Sequence, residues 1–284
     1  DFLHSQFGVK TMANYGWFCS IDMDDQKGIL QLHTLEDNET VAKLATGVKR
    51  FPMPDEHNFI AIYKELAERN DQAADKLIRI YLDRRQYVKA STLLEATIER
   101  FPNSRIKSRK KLLSQITGDW GGFGQTSNSS PAGTEPDLLY TYRNATSVTL
   151  VAHEVDITSM VDDLWEFIEG NPTKLDYDLT NFNGLGHALV NSARKKYVGK
   201  EVGRRTHTLK PRAGHWDTNS TLSVPVSKQG IYLDTDELEN GTTNHTVVWI
   251  DAISLVKKQV HGGELFYVAD AVTGKPVASA KVEF

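Results

Sequence analysis

Apolar residues in the first part of the chain recur at intervals of three and four, which is the spacing of one face of an α-helix. The pattern predicts one helix after Pro54, a second that ends near Leu82 and a third that ends at Pro102. The short break at residues 83–86 makes the last two an antiparallel pair, and a further helix is predicted over residues 104–116. The apolar stripes are Phe59, Ile62, Tyr63, Leu66 and Ala67, then Ala74, Leu77, Ile78, Tyr81 and Leu82, and then Tyr87, Ala90, Leu94, Ile98 and Phe101.

Beyond residue 137 the apolar spacing changes to two, which is typical of β-strands. Short alternating segments separated by Gly, Asn and Asp indicate an antiparallel β-sandwich over residues 137–262. Two amphipathic stripes predict a helical insertion at about residues 157–200. We therefore expect an α+β chain: a helical domain over residues 1–117, a Gly/Ser/Pro-rich connector over residues 118–136, and then the sandwich.

The last segment, residues 263–284, reads as a strand, a turn at residues 270–275 and a second strand that begins at Pro276. Two strands alone do not bury enough surface to be stable. We therefore expect this segment to be the opening hairpin of a truncated next domain, which is frayed, folded back on the sandwich or paired with another molecule.

Charge and hydropathy exclude some partners. The formal net charge is −4 and the pI about 6.2, so no nucleic-acid partner is predicted. No apolar run approaches the roughly 20 residues of a membrane helix, so no membrane span is predicted either.

The chain begins at Asp1 without an initiator Met, which suggests a processed piece. The single cysteine, Cys19, lies among apolar residues and is predicted to be a buried thiol rather than a nucleophile.

Candidate catalytic groups do not form a constellation in the sequence. His153 and Glu154 begin like a zinc-protease helix, but the second histidine is missing. Asp162, Asp163 and Glu166 share a helix face that could bind a cation or act as acid and base, although a solvated helix face is the favoured explanation. We predict no enzyme activity, no cofactor and no metal.

The helical pair resembles a tetratricopeptide repeat, because Tyr81, Ala90, Leu94 and Pro102 fall at the spacing of that family. Residues 41–52 echo residues 91–102 and repeat Arg-Phe-Pro. The echo suggests a second helical hairpin stacked on the first.

The C-terminal residues resemble a junction between two sandwiches of bacterial alpha-2-macroglobulin-like proteins. One macroglobulin-type sandwich of that family closes with a strand like residues 249–258, and the next opens with a Thr-Gly-Lys-Pro hairpin. A strand pair near the start of the first sandwich resembles residues 137–145. The matching residues are Tyr142, Arg143, Asn144, Trp249, Asp251, Leu255, Asp270, Thr273, Gly274, Lys275 and Pro276.

This resemblance implies a long exported protein built of such sandwiches. Some members of that family trap proteases through a bait segment and a Cys-Gly-Glu-Gln thioester. Cys19 is followed by Ser-Ile-Asp, so no thioester motif is present here. The chain is interpreted as a non-catalytic amino-terminal scaffold of a periplasmic, cell-surface or extracellular protein. Its expected partners are other domains of the parent chain and, through the helices, a protease or another protein.

A second interpretation is a cell-surface adhesion or carbohydrate-binding module. Residues 270–278 also resemble the opening of carboxypeptidase-regulatory-like sandwiches, which occur in cell-surface proteins. Trp120, Trp216 and Trp249 could stack on sugars, or could belong to the core.

Overall fold

A computed structural model describes residues 1–8, 31–176, 180, 184–191 and 193–281. The chain divides into two compact units. Unit 1 comprises Asp1–Gly118 and Arg212–Asp217, and unit 2 comprises Asp119–Pro211 and Thr218–Phe284. Cys19 lies outside the described residues.

Unit 1 is a helical bundle with one β-hairpin. Its helices are α1 (Phe2–Phe7), α2 (Phe59–Ala67), α3 (Asp71–Asp83), α4 (Tyr87–Arg100) and α5 (Ile106–Thr117). Asn58 begins α2 by accepting a hydrogen bond from the amide of Ala61, and Asn70 caps α3 from Gln72 and Ala73 in the same way. The predicted helices α2 to α5 are therefore confirmed.

The helical pattern also places the core of unit 1. The predicted stripes supply most of one buried cluster, whose fully buried members are Met53, Phe59, Ile60, Tyr63, Ala73, Leu77, Ile78, Ile80, Tyr81, Ala90, Leu94 and Ile116. Successive helices α2, α3, α4 and α5 contact one another in chain order.

The helical hairpin expected at residues 41–52 is wrong. These residues belong to strands β1 (Glu39–Leu44) and β2 (Gly47–Pro52), which pair antiparallel with Val41 opposite Arg50. Gly47 has φ +109°, a conformation that a helix interior does not allow and that glycine adopts readily. The repeated Arg-Phe-Pro letters therefore do not reflect a repeated structure.

Unit 2 contains the remaining strands. They are β3 (Trp120–Phe123), β4 (Ser127–Pro131), β5 (Asp137–Arg143), β6 (Ser147–Val155), β7 (Val198–Thr208), β8 (Thr218–Ser223), β9 (Gly230–Glu237), β10 (Thr243–Asp251), β11 (Ile253–Val260) and β12 (Gly263–Asp270). One sheet has the order β4-β10-β9-β6-β7 and a second has the order β3-β5-β8, while β11 and β12 form a separate two-stranded sheet within the described residues.

The five-stranded and three-stranded sheets share one core and so form a sandwich. Leu138, Tyr140 and Tyr142 of β5 pack with Leu150 of β6 and Val248 of β10 in a single buried cluster. The α+β class with a β-sandwich is confirmed. Its strands are not all antiparallel, because β4 runs parallel to β10 with Ser129 opposite Trp249.

The expectation that residues 118–136 only connect the two domains is corrected by the structure, because β3 and β4 lie within this range. Composition misled here: Gly121 and Gly122 are strand residues, and Ser127–Pro131 has polar side chains although its backbone completes the edge of the larger sheet. Backbone hydrogen bonding does not require apolar side chains, so such strands have no hydrophobic signature.

The insertion between β6 and β7 covers the outer face of the five-stranded sheet. It contains α6 (Ile157–Glu169) and α7 (Leu185–Asn191). Met160 of α6 and Leu189 of α7 share a buried cluster with Leu233 of β9 and Val247 of β10. The insertion is thus a second layer on one sheet, rather than a lid over an open end of the sandwich.

The C-terminal hairpin differs from the predicted one. Residues 246–258 have the apolar pattern of one continuous strand, but the chain changes sheets at Ala252, so that β11 pairs with β12 and Leu255 lies opposite Val268. The predicted second strand is reduced to the Ala269–Pro276 bridge and a hydrogen bond from the Val277 amide to Val268 O at 2.9 Å, and no strand is formed over the described residues 277–281. We call the β11–β12 pair, Ile253–Val260 with Gly263–Asp270, the C-terminal ribbon.

Candidate functional site

The residues of the family resemblance lie in three separate places of unit 2. Tyr142, Arg143 and Asn144 form the end of β5 and its turn, where Asn144 has φ +60°. The buried Tyr142 hydroxyl donates to the carbonyl of Lys210 at 3.1 Å and accepts from the Lys210 amide at 3.1 Å. These residues hold a turn in place.

Trp249 and Asp251 attach the edge strand β4 to β10. The indole Nε1 of Trp249 donates to Ser127 Oγ at 3.0 Å, and the Asp251 carboxylate accepts from Ser129 Oγ at 3.2 Å. Leu255, by contrast, is 51% exposed on the C-terminal ribbon.

The remaining matched residues form the turn after β12. Asp270 Oδ1 accepts from the amide of Thr273 at 2.7 Å, from its hydroxyl at 2.8 Å and from the amide of Val272 at 3.1 Å. These bonds hold the pKa of Asp270 below its usual value. The Gly274 amide donates to Asp270 O, and Asp270 N donates to Lys275 O, which closes the turn ahead of Pro276.

The C-terminal ribbon exposes apolar side chains on both of its faces. Ile253, Leu255, Val256, Val260, Leu265 and Tyr267 are each 42–54% exposed. Directly opposite residues share a face, so Leu255 and Val268 lie on one side while Val256 and Tyr267 lie on the other. A two-stranded ribbon that offers apolar surface on two sides is a candidate interaction element.

A buried pair of carboxyl groups, Asp234 and Asp236, lies between the two sheets of the sandwich. Both side chains are 0% exposed on β9, and their spacing of two places them on the same face as Tyr232. Sequence reasoning identified this segment as a strand but missed the pair. The signal was present, because Asp234 and Asp236 continue the alternation of the core residue Tyr232 into positions where apolar side chains are expected.

Asp236 has donors on both sides of the core. Its Oδ2 accepts from Tyr140 Oη at 2.6 Å, across from the three-stranded sheet, and its Oδ1 accepts from the backbone amide of Asn244. Gly121 makes room for the Tyr140 hydroxyl, which a side chain at that position would overlap. Burial raises the pKa of Asp236 while these donors oppose the rise, and burial together with Asp236 raises the pKa of Tyr140.

Asp234 has no such donors. Neither of its carboxyl oxygens has a hydrogen-bond partner among the residues that the structure describes. Burial, and then the neighbouring charge of Asp236, raises the pKa of Asp234 to about 7.

Of the three carboxylates considered as a catalytic group, Asp163 is engaged in other contacts. Asp163 accepts hydrogen bonds from Tyr197 Oη at 2.6 Å and from Lys196 Nζ at 2.5 Å, which ties α6 to the turn after α7. These donors lower the pKa of Asp163. Within the described part of the chain, no three His, Cys, Asp or Glu side chains are grouped as metal ligands.

The three tryptophans considered as sugar-stacking residues are not equivalent. Trp216 belongs to unit 1, where its ring lies edge-on to Tyr87 at 4.8 Å and to His33 at 5.2 Å. Trp249 is half-buried and bonded to Ser127. Trp120, on β3, is 44% exposed.

Unit 1 carries a shallow groove of about 450 Å³ along α3 and α4. Leu77, Tyr81 and Leu93 line it together with Lys64 and Lys89. Both lysines form ion pairs with Asp37, so one of their two positive charges is balanced within the groove. Across the described ranges, no helix is long and apolar enough to span a membrane.

The comparisons with known proteins find similarity in structure alone. No family model matches the sequence, and no curated protein matches it. The native alpha-2-macroglobulin of Escherichia coli spanning domains MG0-NIE-MG1 aligns with 12% identity over 56% of this chain and 47% of that chain, with a TM-score of 0.36. The NIE-MG1 structure of the same protein aligns with 15% identity over 57% and 74%, with a TM-score of 0.36.

A mutant Salmonella alpha-2-macroglobulin aligns with 13% identity over 54% of this chain and 8% of that one, with a TM-score of 0.33. The chain therefore spans 47% of the MG0-NIE-MG1 structure and a small part of the longer one. Identities of 12–15% with TM-scores of 0.33–0.36 assign no family. The fold itself is that of an α+β chain whose second unit is a β-sandwich with a helical insertion.

Proposed function

We propose that the chain is a non-catalytic interaction module of an exported, macroglobulin-like protein, in which the C-terminal ribbon docks another domain of the same polypeptide. The observation that carries the proposal is the ribbon itself. The ribbon is a two-stranded sheet that pairs with no third strand of the described residues. Its six apolar side chains that are 42–54% exposed form a surface whose burial would be favourable.

The partner is another domain of the parent chain because the ribbon continues directly from the sandwich. β10 and β11 are separated by Ala252 alone, so any domain built on the ribbon is held next to unit 2 at high effective concentration. The sequence resemblance of residues 249–282 to a junction between two sandwiches supports the same partner. Protease trapping, if the parent performs it, requires segments other than this chain, and no residue here is assigned to it.

The first test is to read the gene beyond codon 284. We expect the open reading frame to continue into at least one further β-sandwich that begins with the ribbon. A stop codon within about one domain length, on the order of 100 residues, contradicts the proposal.

The second test measures hydrogen exchange of the ribbon in the 284-residue protein and in a protein extended by the following domain. In the shorter protein, amides of β11 and β12 should exchange far faster than those of Val247 and Ile250 in β10, because few buried contacts hold them. In the extended protein the ribbon should become protected. Leu255→Ser in the extended protein should remove that protection, while Gln259→Ser, an exposed polar position on the same strand, should not.

A carbohydrate-binding module is the second candidate, and the exposed ring of Trp120 favours it. Trp120 lies on β3 beside two glycines, which leaves the indole face accessible for stacking on a sugar. Glycan-array binding that is lost in Trp120→Ala and kept in Trp216→Ala would select this function over the first.

A further inference from the structure

The unused titratable group in the sandwich is Asp234, at the centre of the molecule's largest sheet. β9 lies between β10 and β6, with Asp234 opposite Thr246 on one side and Ala152 on the other. All three side chains are 0% exposed. An ionised carboxylate in such a place, without a donor, is costly.

The other groups on this face do not neutralise Asp234. Opposite residues of neighbouring strands share a face, which identifies the titratable side chains of the paired strands that face the same core. β10, β8, β3 and β4 contribute none within the described residues. The groups are Asp236 and Tyr232 on β9, Glu154 on β6, Arg205 and His207 on β7, and Tyr140 and Tyr142 on β5.

The two basic groups among them are bonded elsewhere. The Arg205 guanidinium donates to Glu135 at 2.5 and 2.8 Å, and His207 Nε2 is 3.0 Å from the carbonyl of Ser223. Both lie on β7, which is separated from β9 by β6. Asp236, the nearest charged group, has the same sign as Asp234.

The oxygen atoms around Asp234 are too few for a hard cation. Thr246 Oγ1 already donates to Gln125 O at 2.9 Å and accepts from Asn128 Nδ2 at 3.0 Å, and Asp236 is occupied by Tyr140 and Asn244. Of these three side chains, only Asp234 has oxygens without a hydrogen-bond partner among the described residues, whereas calcium takes about six to eight oxygen ligands. A proton needs one oxygen and removes the charge.

We propose that Asp234 is a proton-binding site inside the sandwich, and that loss of its proton loosens the contact between the five-stranded and three-stranded sheets. The contact at risk is the Tyr140–Asp236 hydrogen bond, which joins the sheets two residues from Asp234. A second negative charge beside Asp236 cannot be accommodated without water or separation of the sheets.

The sign of the effect follows from the raised pKa of Asp234, about 7 in the folded protein. An unfolded aspartate has a pKa of about 4, so the folded sandwich holds one extra proton between these two values. The equilibrium constant for folding should therefore fall up to tenfold per pH unit between about pH 4 and pH 7 and then level off.

The pH dependence of folding is measured by hydrogen exchange of the β9 and β10 amides, corrected for the intrinsic pH dependence of exchange. Between pH 5 and pH 7 the opening constant should rise up to tenfold per unit in the wild-type protein, and the rise should disappear in Asp234→Asn. Asp137→Asn, an exposed position on β5, is the matched control and should keep the wild-type slope. An unchanged slope in Asp234→Asn overturns the proposal.

A second measurement does not depend on a variant that folds. In wild-type protein labelled with ¹³C at aspartate carboxyls, one resonance should titrate near pH 7; titration of every aspartate below about pH 5 overturns the proposal. The titration is repeated with calcium chloride. A shift of that resonance by equimolar calcium also overturns the proposal, because it would identify a cation site instead, whereas an unchanged titration supports a proton site.

Discussion

The sandwich core and the C-terminal ribbon belong to the same unit, and both are built mainly from antiparallel strands with alternating apolar residues. Leu150 on β6 is 0% exposed, while Leu255 on β11 is 51% exposed. The difference is the second layer: β6 is covered by the three-stranded sheet on one face and by the helical insertion on the other. Alternation in sequence therefore predicts a strand, but the number of layers decides whether its apolar face stabilises the protein.

The comparison extends to polar groups. In the core, a tyrosine hydroxyl and a carboxylate are desolvated, so each missing donor has a large effect on stability and on the pKa. In the ribbon, Tyr267 Oη and the Asp270 carboxylate make local hydrogen bonds of 3.1 and 2.7 Å, but water can replace them. The same side-chain types thus carry different energetic weight in the two regions.

The largest expected difference in the free energy of unfolding is between two leucine-to-alanine substitutions, one in the core and one on the ribbon. Leu150→Ala should lower the free energy of unfolding by about 2–5 kcal/mol, because it removes a fully buried side chain and leaves a cavity. Leu255→Ala, on the ribbon, should change it by less than about 0.5 kcal/mol. Urea denaturation, with hydrogen exchange of β10 to report on unit 2, measures both. A loss at Leu255 comparable to that at Leu150 would show that the ribbon is covered in solution.

The next difference concerns two tyrosine hydroxyls. Tyr140→Phe removes the 2.6 Å bond to the buried Asp236 and should lower the free energy of unfolding by about 1–3 kcal/mol, because the carboxylate loses a donor that water cannot replace. Tyr267→Phe removes a 3.1 Å bond to the exposed Gly274 carbonyl and should cost less than about 0.5 kcal/mol. The same denaturation assay compares the two variants. Equal effects would mean that the Tyr140 hydroxyl reaches solvent.

Sequence patterning predicted the elements whose burial is one-sided and regular. The stripes on α2, α3 and α4 and the alternation in β5, β6, β9 and β10 each have many apolar positions, so one exception does not change the period. The polar edge strand β4 had no such signal. Over β1 and β2, the chance similarity to residues 91–102 led to the prediction of helices, although the glycine between the two strands indicated a turn.

The candidate sites were less predictable because they depend on tertiary position. Residues 246–258 read as one strand, and only the pairing partners show that the chain changes sheets at Ala252. Asp234 and Asp236 read as ordinary strand residues until the sheet that covers them is known. The assignment of residues 249–282 to a junction between two sandwiches remains a prediction, which the extended protein would test.

The smallest expected effect is an opposite response to pH in the two regions. Hydrogen bonds from the Thr273 amide, the Thr273 hydroxyl and the Val272 amide lower the pKa of Asp270. A lowered pKa stabilises the turn above the unfolded value of about 4, and this contribution is lost as the pH falls through the lower value of the folded turn. Acid should therefore release the Thr273 amide while it keeps Asp234 protonated and the core closed. NMR shifts and exchange of the Thr273 amide between pH 6 and pH 2 measure this release, and Asp270→Asn should abolish the response. A Thr273 amide that stays unchanged down to pH 2 would mean that the turn is held by packing rather than by the Asp270 carboxylate.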